Sequence, residues 1–133
     1  MDLSSIKPQE IFTVELRHPA TDEPLIDDDG TAVSISVYGP GSDRNRAVRH
    51  KRANAYLKKG RKIKLTAIEV EKGAAEDLAE LVCEVKGLEI NGAPVTPENI
   101  VNLFLSPEFF WVKEQVDNAA GDYENFFREN LKN

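Results

Sequence analysis

The chain has 133 residues, 41% of them hydrophobic, and a formal net charge of −6. That length fits one domain with a single core, and the negative balance argues against general affinity for nucleic acid. A lone cysteine, Cys83, allows no internal disulfide, residues 1–10 lack the apolar run of a signal peptide, and no stretch approaches the roughly 18 apolar residues of a membrane span, so the expectation is a cytoplasmic protein.

Phe12, Val14 and Leu16 alternate with Thr13, Glu15 and Arg17, the period of a half-buried strand. Val33, Ile35 and Val37 alternate with Ser34, Ser36 and Tyr38 in the same way. Between them His18-Pro19, Pro24 and Asp27-Asp28-Asp29-Gly30 are turn chemistry. Residues 11–38 therefore read as an antiparallel hairpin with a long loop, in which Leu25 and Ile26 add a bridge of their own. The acidic run fails as a calcium loop. With Gly30 in the sixth place, Leu25 and Ser36 would stand first and twelfth, where carboxylates are needed. It reads as an Asp-Gly turn.

Ser42-Asp43 starts a helix after the break at Gly39-Pro40-Gly41, and Gly60 is expected to end it. Residues 42–64 carry ten Lys/Arg against the single acid Asp43, a local +9 that leaves −15 elsewhere. Three readings compete. The bland one is a solvated helix whose thin apolar side, Val48, Ala55, Tyr56 and Leu57, packs weakly while its charges attract acids elsewhere in the fold. The second is a charged interface with a partner or neighbouring subunit, through Arg44, Arg49, Arg52 and Lys58. The third is a nucleic-acid footprint, for which Tyr56 is the one stacking surface.

Residues 63–70 lead, past a weak point at Gly73, into the clearest amphipathic pattern. Ala74, Leu78, Leu81, Val82 and Val85 form one stripe of a 3.6-residue period, which predicts a helix over 74–85 stopped by Gly87. Asn91-Gly92 is the strongest short hairpin signal in the chain. Thr96-Pro97-Glu98 and Ser106-Pro107-Glu108 read as two helix starts, each with a hydroxyl cap, proline in the first turn and an acid at the positive end of the dipole. Phe109, Val112 and Val116 then share a core-directed face. Phe110 and Trp111 lie off that line. Either they fill a second side of the core, or they form an exposed aromatic patch with Lys113 and Glu114 at its rim. Gly121-Asp122 opens a last helix with Tyr123, Phe126, Phe127 and Leu131 on one stripe.

The fold class is thus α+β and mainly helical: a hairpin over 11–38, then a helical part over 42–133 containing the short Asn-Gly hairpin, all within one domain of 1–133. The sequence holds no Cys/His cluster for zinc, no Gly-x-Ser-x-Gly elbow, and no carboxylate in the apolar context of a general acid. No catalytic residue, metal or cofactor is expected, and the protein is not expected to be an enzyme.

Several short motifs, in order, resemble the tail assembly chaperones of long-tailed bacteriophages and prophages. They are His18-Pro19, Asp28-Asp29-Gly30 and a strand, a basic helix, and Asp77-Leu78-Ala79-Glu80-Leu81. Lys86-Gly87-Leu88, Asn91-Gly92, Thr96-Pro97-Glu98-Asn99, Trp111-Val112-Lys113-Glu114-Gln115-Val116 and Asn125-Phe126 follow. Where this chain has Val85, relatives tend to have tryptophan, and they link the proline to the later tryptophan more tightly than Pro107 to Trp111. The resemblance implies a small, mainly helical, cytoplasmic protein without catalysis. It would hold the helical tape-measure protein until tail-tube protein polymerises around it, and would self-associate. Two alternatives stay open: a nucleic-acid-binding or regulatory protein acting through helix 42–64, and a structural tail subunit.

Overall fold

The computed structural model describes residues 1–59 and 66–131. Its first two strands follow the alternation in the sequence. β1 (Ile11–Glu15) pairs antiparallel with β2 (Ser34–Tyr38), Ile11 opposite Tyr38 and Glu15 opposite Ser34. Val14 and Leu16 point into the core and Thr13 and Glu15 to solvent. The loop adds its own bridging, since Leu25 donates its N–H to Leu16 and accepts from Val33, while Ile26 bridges Ala32. At the acidic run, the Gly30 N–H reaches the Asp27 carbonyl, and the Asp29 carboxylate accepts the Thr31 N–H at 2.9 Å.

Downstream, α1 (Asp43–Lys59) begins at Ser42, whose hydroxyl accepts the Asn45 N–H and donates to the Gly39 carbonyl. The expected stop at Gly60, the segment 63–65 and the basic residues Arg61, Lys62 and Lys64 lie outside the described residues. Next, α2 (Ala67–Leu81) opens on a reciprocal cap. The Thr66 hydroxyl accepts the Glu69 N–H and donates to the Glu69 carboxylate, each at 3.2 Å.

Here the fold departs from the sequence reading. The helix expected over 74–85 starts earlier and stops at Leu81. Val82–Lys86 is a strand, β3, which completes a three-stranded sheet in the order β1-β2-β3. Val82 stands opposite Val37 and Val85 opposite Ile35, with a bulge at Ser36/Val37. Residues three apart in a regular strand face opposite sides, but the extra residue Cys83 resets the alternation, so both valines face inward. An i, i+3 spacing therefore imitated a helix. Within α2 the buried residues are Ala75 and Leu78 rather than Ala74, Gly73 lies in the helix interior, and Gly87, at φ +75°, ends a strand instead of a helix. The third strand also explains why Ser34 and Ser36 are buried although the alternation marks them as solvent-facing: β2 is central.

β4 (Glu89–Ile90) and β5 (Ala93–Pro94) form the expected small hairpin, with Asn91 at φ 51° and Gly92 at φ 81°, the left-handed pair of a type I′ turn. Neither Pro-Glu helix start is capped by its hydroxyl. α3 begins only at Ile100 and runs to Leu105, after a turn in which the Asn99 side chain accepts the Thr96 N–H at 2.8 Å. Ser106 leads into a 3₁₀ turn over Pro107–Phe109, and α4 (Phe110–Gly121) continues from it. Gly121 closes α4 rather than opening the next helix. α5 (Glu124–Leu131) starts where the Asp122 carboxylate accepts the Glu124 N–H.

The core lies between the inward face of the sheet and α2, α3, α4 and α5. Its largest fully buried side chains are Phe126, Leu16, Ile35, Ile100, Val37, Val112 and Val116. Phe126 meets Phe12 edge-on, with centroids 6.0 Å apart and planes at 68°. Tyr123, just ahead of the last helix, is exposed and Phe127 half-buried, while the Leu131 side chain lies outside the described residues.

Candidate functional site

The head of α4 and the α1–α2 hairpin hold the side chains that the sequence singles out. At the head of α4, Val112 and Val116 are inward and fix the rotation of the helix. Successive residues stand about 100° apart on a helix, so neighbours of an inward position diverge. Phe110 turns to solvent at 58% exposure, whereas Trp111 and the preceding Phe109 lie half-buried against the core. Lys113 is half-buried and Glu114 exposed. The two readings of the aromatic pair thus divide between its members: Trp111 packs against the core, and Phe110 stays exposed.

The basic helix meets an acidic one. Its Arg44 Nε donates to the Glu80 carbonyl at 3.0 Å, its Lys51 Nζ sits 2.6 Å from the Glu80 carboxylate, and its Arg52 pairs with Asp77. The hydrogen bond to Glu80, then the field of Glu80, Asp77 and Glu76, raises the Lys51 pKa above its ordinary value. Arg49 and Lys58 are exposed and have no ion-pair partner among the described residues. The apolar side of α1 packs weakly, as expected: Val48 is buried, while Ala55, Tyr56 and Leu57 are exposed. Between the two helices runs a groove of about 510 Å³, lined by Ala55, Tyr56, Val70, Gly73 and Ala74 and by the charged Lys51, Arg52, Glu69, Lys72, Glu76, Asp77 and Glu80.

The sequence reading expects the basic charges to attract acids elsewhere in the fold without locating them, and the structure places them on α2. Glu76, Asp77 and Glu80 stand at i, i+1 and i+4, one polar face of a helix, and that spacing is the signal that could have marked them as a counter-surface to the arginines. A second feature without a sequence signal is the Gln115 side chain. Its Oε1 accepts the Arg17 N–H at 2.9 Å and its Nε2 donates to the Arg17 carbonyl at 2.8 Å, so an amide from α4 pairs with backbone just past the end of β1. Cys83, half-buried, directs its thiol at the Ser36 carbonyl, and burial pushes its pKa up.

Among the described residues no group of three or more His, Cys, Asp or Glu side chains is arranged to hold a metal ion. Likewise, among them no helix is long and apolar enough to cross a membrane. Compared with protein-family models, with curated proteins and with solved structures, the chain matches none of them.

Proposed function

We propose that the chain is a non-enzymatic assembly chaperone of a long-tailed phage or prophage. It holds the helical tape-measure protein in the host cytoplasm until tail-tube protein closes around it, and self-associates while doing so. The resemblance described above supplies the partner, and one observation supports the surface: Phe110 stands in solvent at the head of a helix anchored by fully buried Val112 and Val116. An exposed aromatic on a rigid helix start loses little conformational freedom when a partner covers it. Lys113 and Glu114 supply the charged rim that helix-in-groove recognition uses around an apolar anchor.

Co-expression with the tape-measure protein tests this. Phe110→Ala is expected to leave the melting temperature nearly unchanged and to lose the soluble complex. Trp111→Ala is expected to lower the melting temperature, because that ring packs against the core. A Phe110→Ala variant that still keeps the partner soluble moves the binding surface elsewhere.

One observation favours a second reading, nucleic-acid binding through α1: every described side chain from position 49 to 58 is exposed, Arg49 and Lys58 among them. The neighbouring acids of α2 weigh against it, because they place negative charge beside the groove. Counterion release makes binding to phosphates fall steeply with salt, so a gel-shift series from dilute to moderate salt separates the two readings.

A further inference from the structure

The tip of the β4–β5 hairpin is Asn91-Gly92, and no other asparagine in the chain precedes a glycine. Both residues are exposed, and the Asn91 side chain makes no hydrogen bond among the described residues. Gly92 has no Cβ to shield its backbone nitrogen, and the space beside it is open, with nothing within 4 Å of an added Cβ. An asparagine amide beside such a nitrogen has a reaction of its own. The nitrogen, having lost its proton, attacks Cγ of the asparagine. An N–Cγ bond forms, the Cγ–Nδ2 bond breaks, and Nδ2 leaves as ammonia, which closes a five-membered imide. Water then opens the ring at either carbonyl. Opening at Cγ gives aspartate at position 91. Opening at the backbone carbonyl gives isoaspartate, in which the main chain runs through Cβ and is one carbon longer.

The folded turn forbids the first step. Asn91 lies at φ 51° and Gly92 at φ 81°. In this type I′ turn the first of the two residues takes ψ of about +30°. At that ψ the Gly92 nitrogen stands nearly anti to Cβ across the Cα–C bond. Imide closure needs the two nearly eclipsed, so Ile90 must first part from Ala93. Only a small unit has to open. The hairpin holds the pairs Glu89–Pro94 and Ile90–Ala93, and beyond them the Val95 N–H meets the Leu88 carbonyl at 2.9 Å, where Val95 is buried. A two-stranded hairpin is marginal by itself, and such units open at a lower free energy than the whole fold. The two products then differ. Aspartate tolerates the left-handed region and rebuilds the turn, whereas a two-residue loop has no place for an additional main-chain carbon.

We propose that Asn91 is a deamidation site gated by its own hairpin. It persists while β4–β5 is closed and converts in chains whose turn has opened, so the isoaspartate is a lasting mark of that opening at the entry to α3. The inference is independent of the chaperone reading, since it needs only the turn.

Ageing the full chain at mildly alkaline pH, with and without urea, tests it by mass spectrometry of the peptide that carries residue 91. Exchange of an amide for an acid raises the mass by about one unit, and an isoaspartate-specific methyltransferase counts the isomer. Conversion is expected to be at least about tenfold faster in urea than in the native chain, because the closed turn withholds the reactive geometry. In urea, Gly92→Ala is expected to slow conversion by at least about tenfold, because a Cβ narrows the backbone conformations open to the attacking nitrogen and crowds it. After refolding, Asn91→Asp is expected to keep the cross-strand NMR contacts between Ile90 and Ala93, and the purified isoaspartyl chain to lose them. Equal rates with and without urea overturn the gating, and an Asn91 that survives in urea overturns the site. An isoaspartyl chain that retains the Ile90–Ala93 contacts overturns the lasting mark.

Discussion

At Gly39 an added Cβ would lie 2.5 Å from Cδ1 of the Phe126 ring, inside the largest fully buried side chain of the core. Gly73, in the interior of α2, has nothing within 4 Å of the same added atom. Opposite signs follow. Gly39→Ala is expected to destabilise by about 1–3 kcal/mol through overpacking, whereas Gly73→Ala should stabilise by about 0.5–1 kcal/mol by relieving the backbone entropy of a helical glycine. Thermal melts of both variants check this, and like-signed shifts would refute the packing described around Phe126. Val14→Asp and Glu15→Lys make a similar pair on β1. The first buries an unpaired charge and should cost several kcal/mol, on the order of the largest single-site effects, while the second sits in solvent and should be near neutral. Cys83 titrates too. Burial raises its pKa, so the thiol stays protonated through neutral pH in the fold, and any stability it lends is present below the unfolded-state pKa and lost as pH rises through the folded one. Iodoacetamide at mildly alkaline pH should therefore label it more slowly in the native chain than in denaturant; equal rates would show the thiol to be open.

Strands and helices are joined here by small devices that set whole elements. The Gln115–Arg17 double hydrogen bond ties α4 to the chain at the end of β1. Gln115→Ala removes both bonds and should cost about 1–2 kcal/mol, since each net bond contributes roughly 0.5–1.5 kcal/mol. Gln115→Glu keeps the length but turns an acceptor toward the Arg17 carbonyl, so it is expected to destabilise as well, more at neutral pH than in acid. A urea midpoint indifferent to both variants would mean the pairing contributes nothing. The bulge at Cys83 is the other device. By inserting one residue it brings Val82 and Val85 to one face, and so converts what reads as the end of a helix into the third strand.

Across the molecule, stability should be uneven. β2, α3 and α4 hold the fully buried Ile35, Val37, Ile100, Val112 and Val116, while every residue over 49–58 is exposed. Amide exchange is expected to be slowest in the first group, near the global unfolding limit, and fast over 49–58, and equal protection in the two groups would refute this. The ion pairs that join helix 43–59 to α2 are screened by salt. Because Lys51 and Arg52 meet their acids at an exposed surface, a double-mutant cycle at Arg52 and Asp77 should give a coupling of only about 0.2–1 kcal/mol.

The elements that the sequence determined by itself are those whose signal is local. The alternation of Phe12, Val14 and Leu16 against Thr13 and Glu15 set a strand and its inward face, and Asn91-Gly92 set a turn, because only the left-handed region closes a two-residue hairpin. Ser42 likewise marked the start of α1, and Val112 and Val116 the inner face of α4. What depended on distant partners was decided by tertiary structure. Residues 82–86 fit a helical period as well as a bulged strand, and β2, with an open edge to fill, selected the strand. Phe110 and Trp111 share one composition, yet the rotation fixed by Val112 separated them into surface and core. The basic run showed its charge in the sequence, but its counter-surface on α2 lies some thirty residues away, and only folding brought Lys51 and Glu80 together.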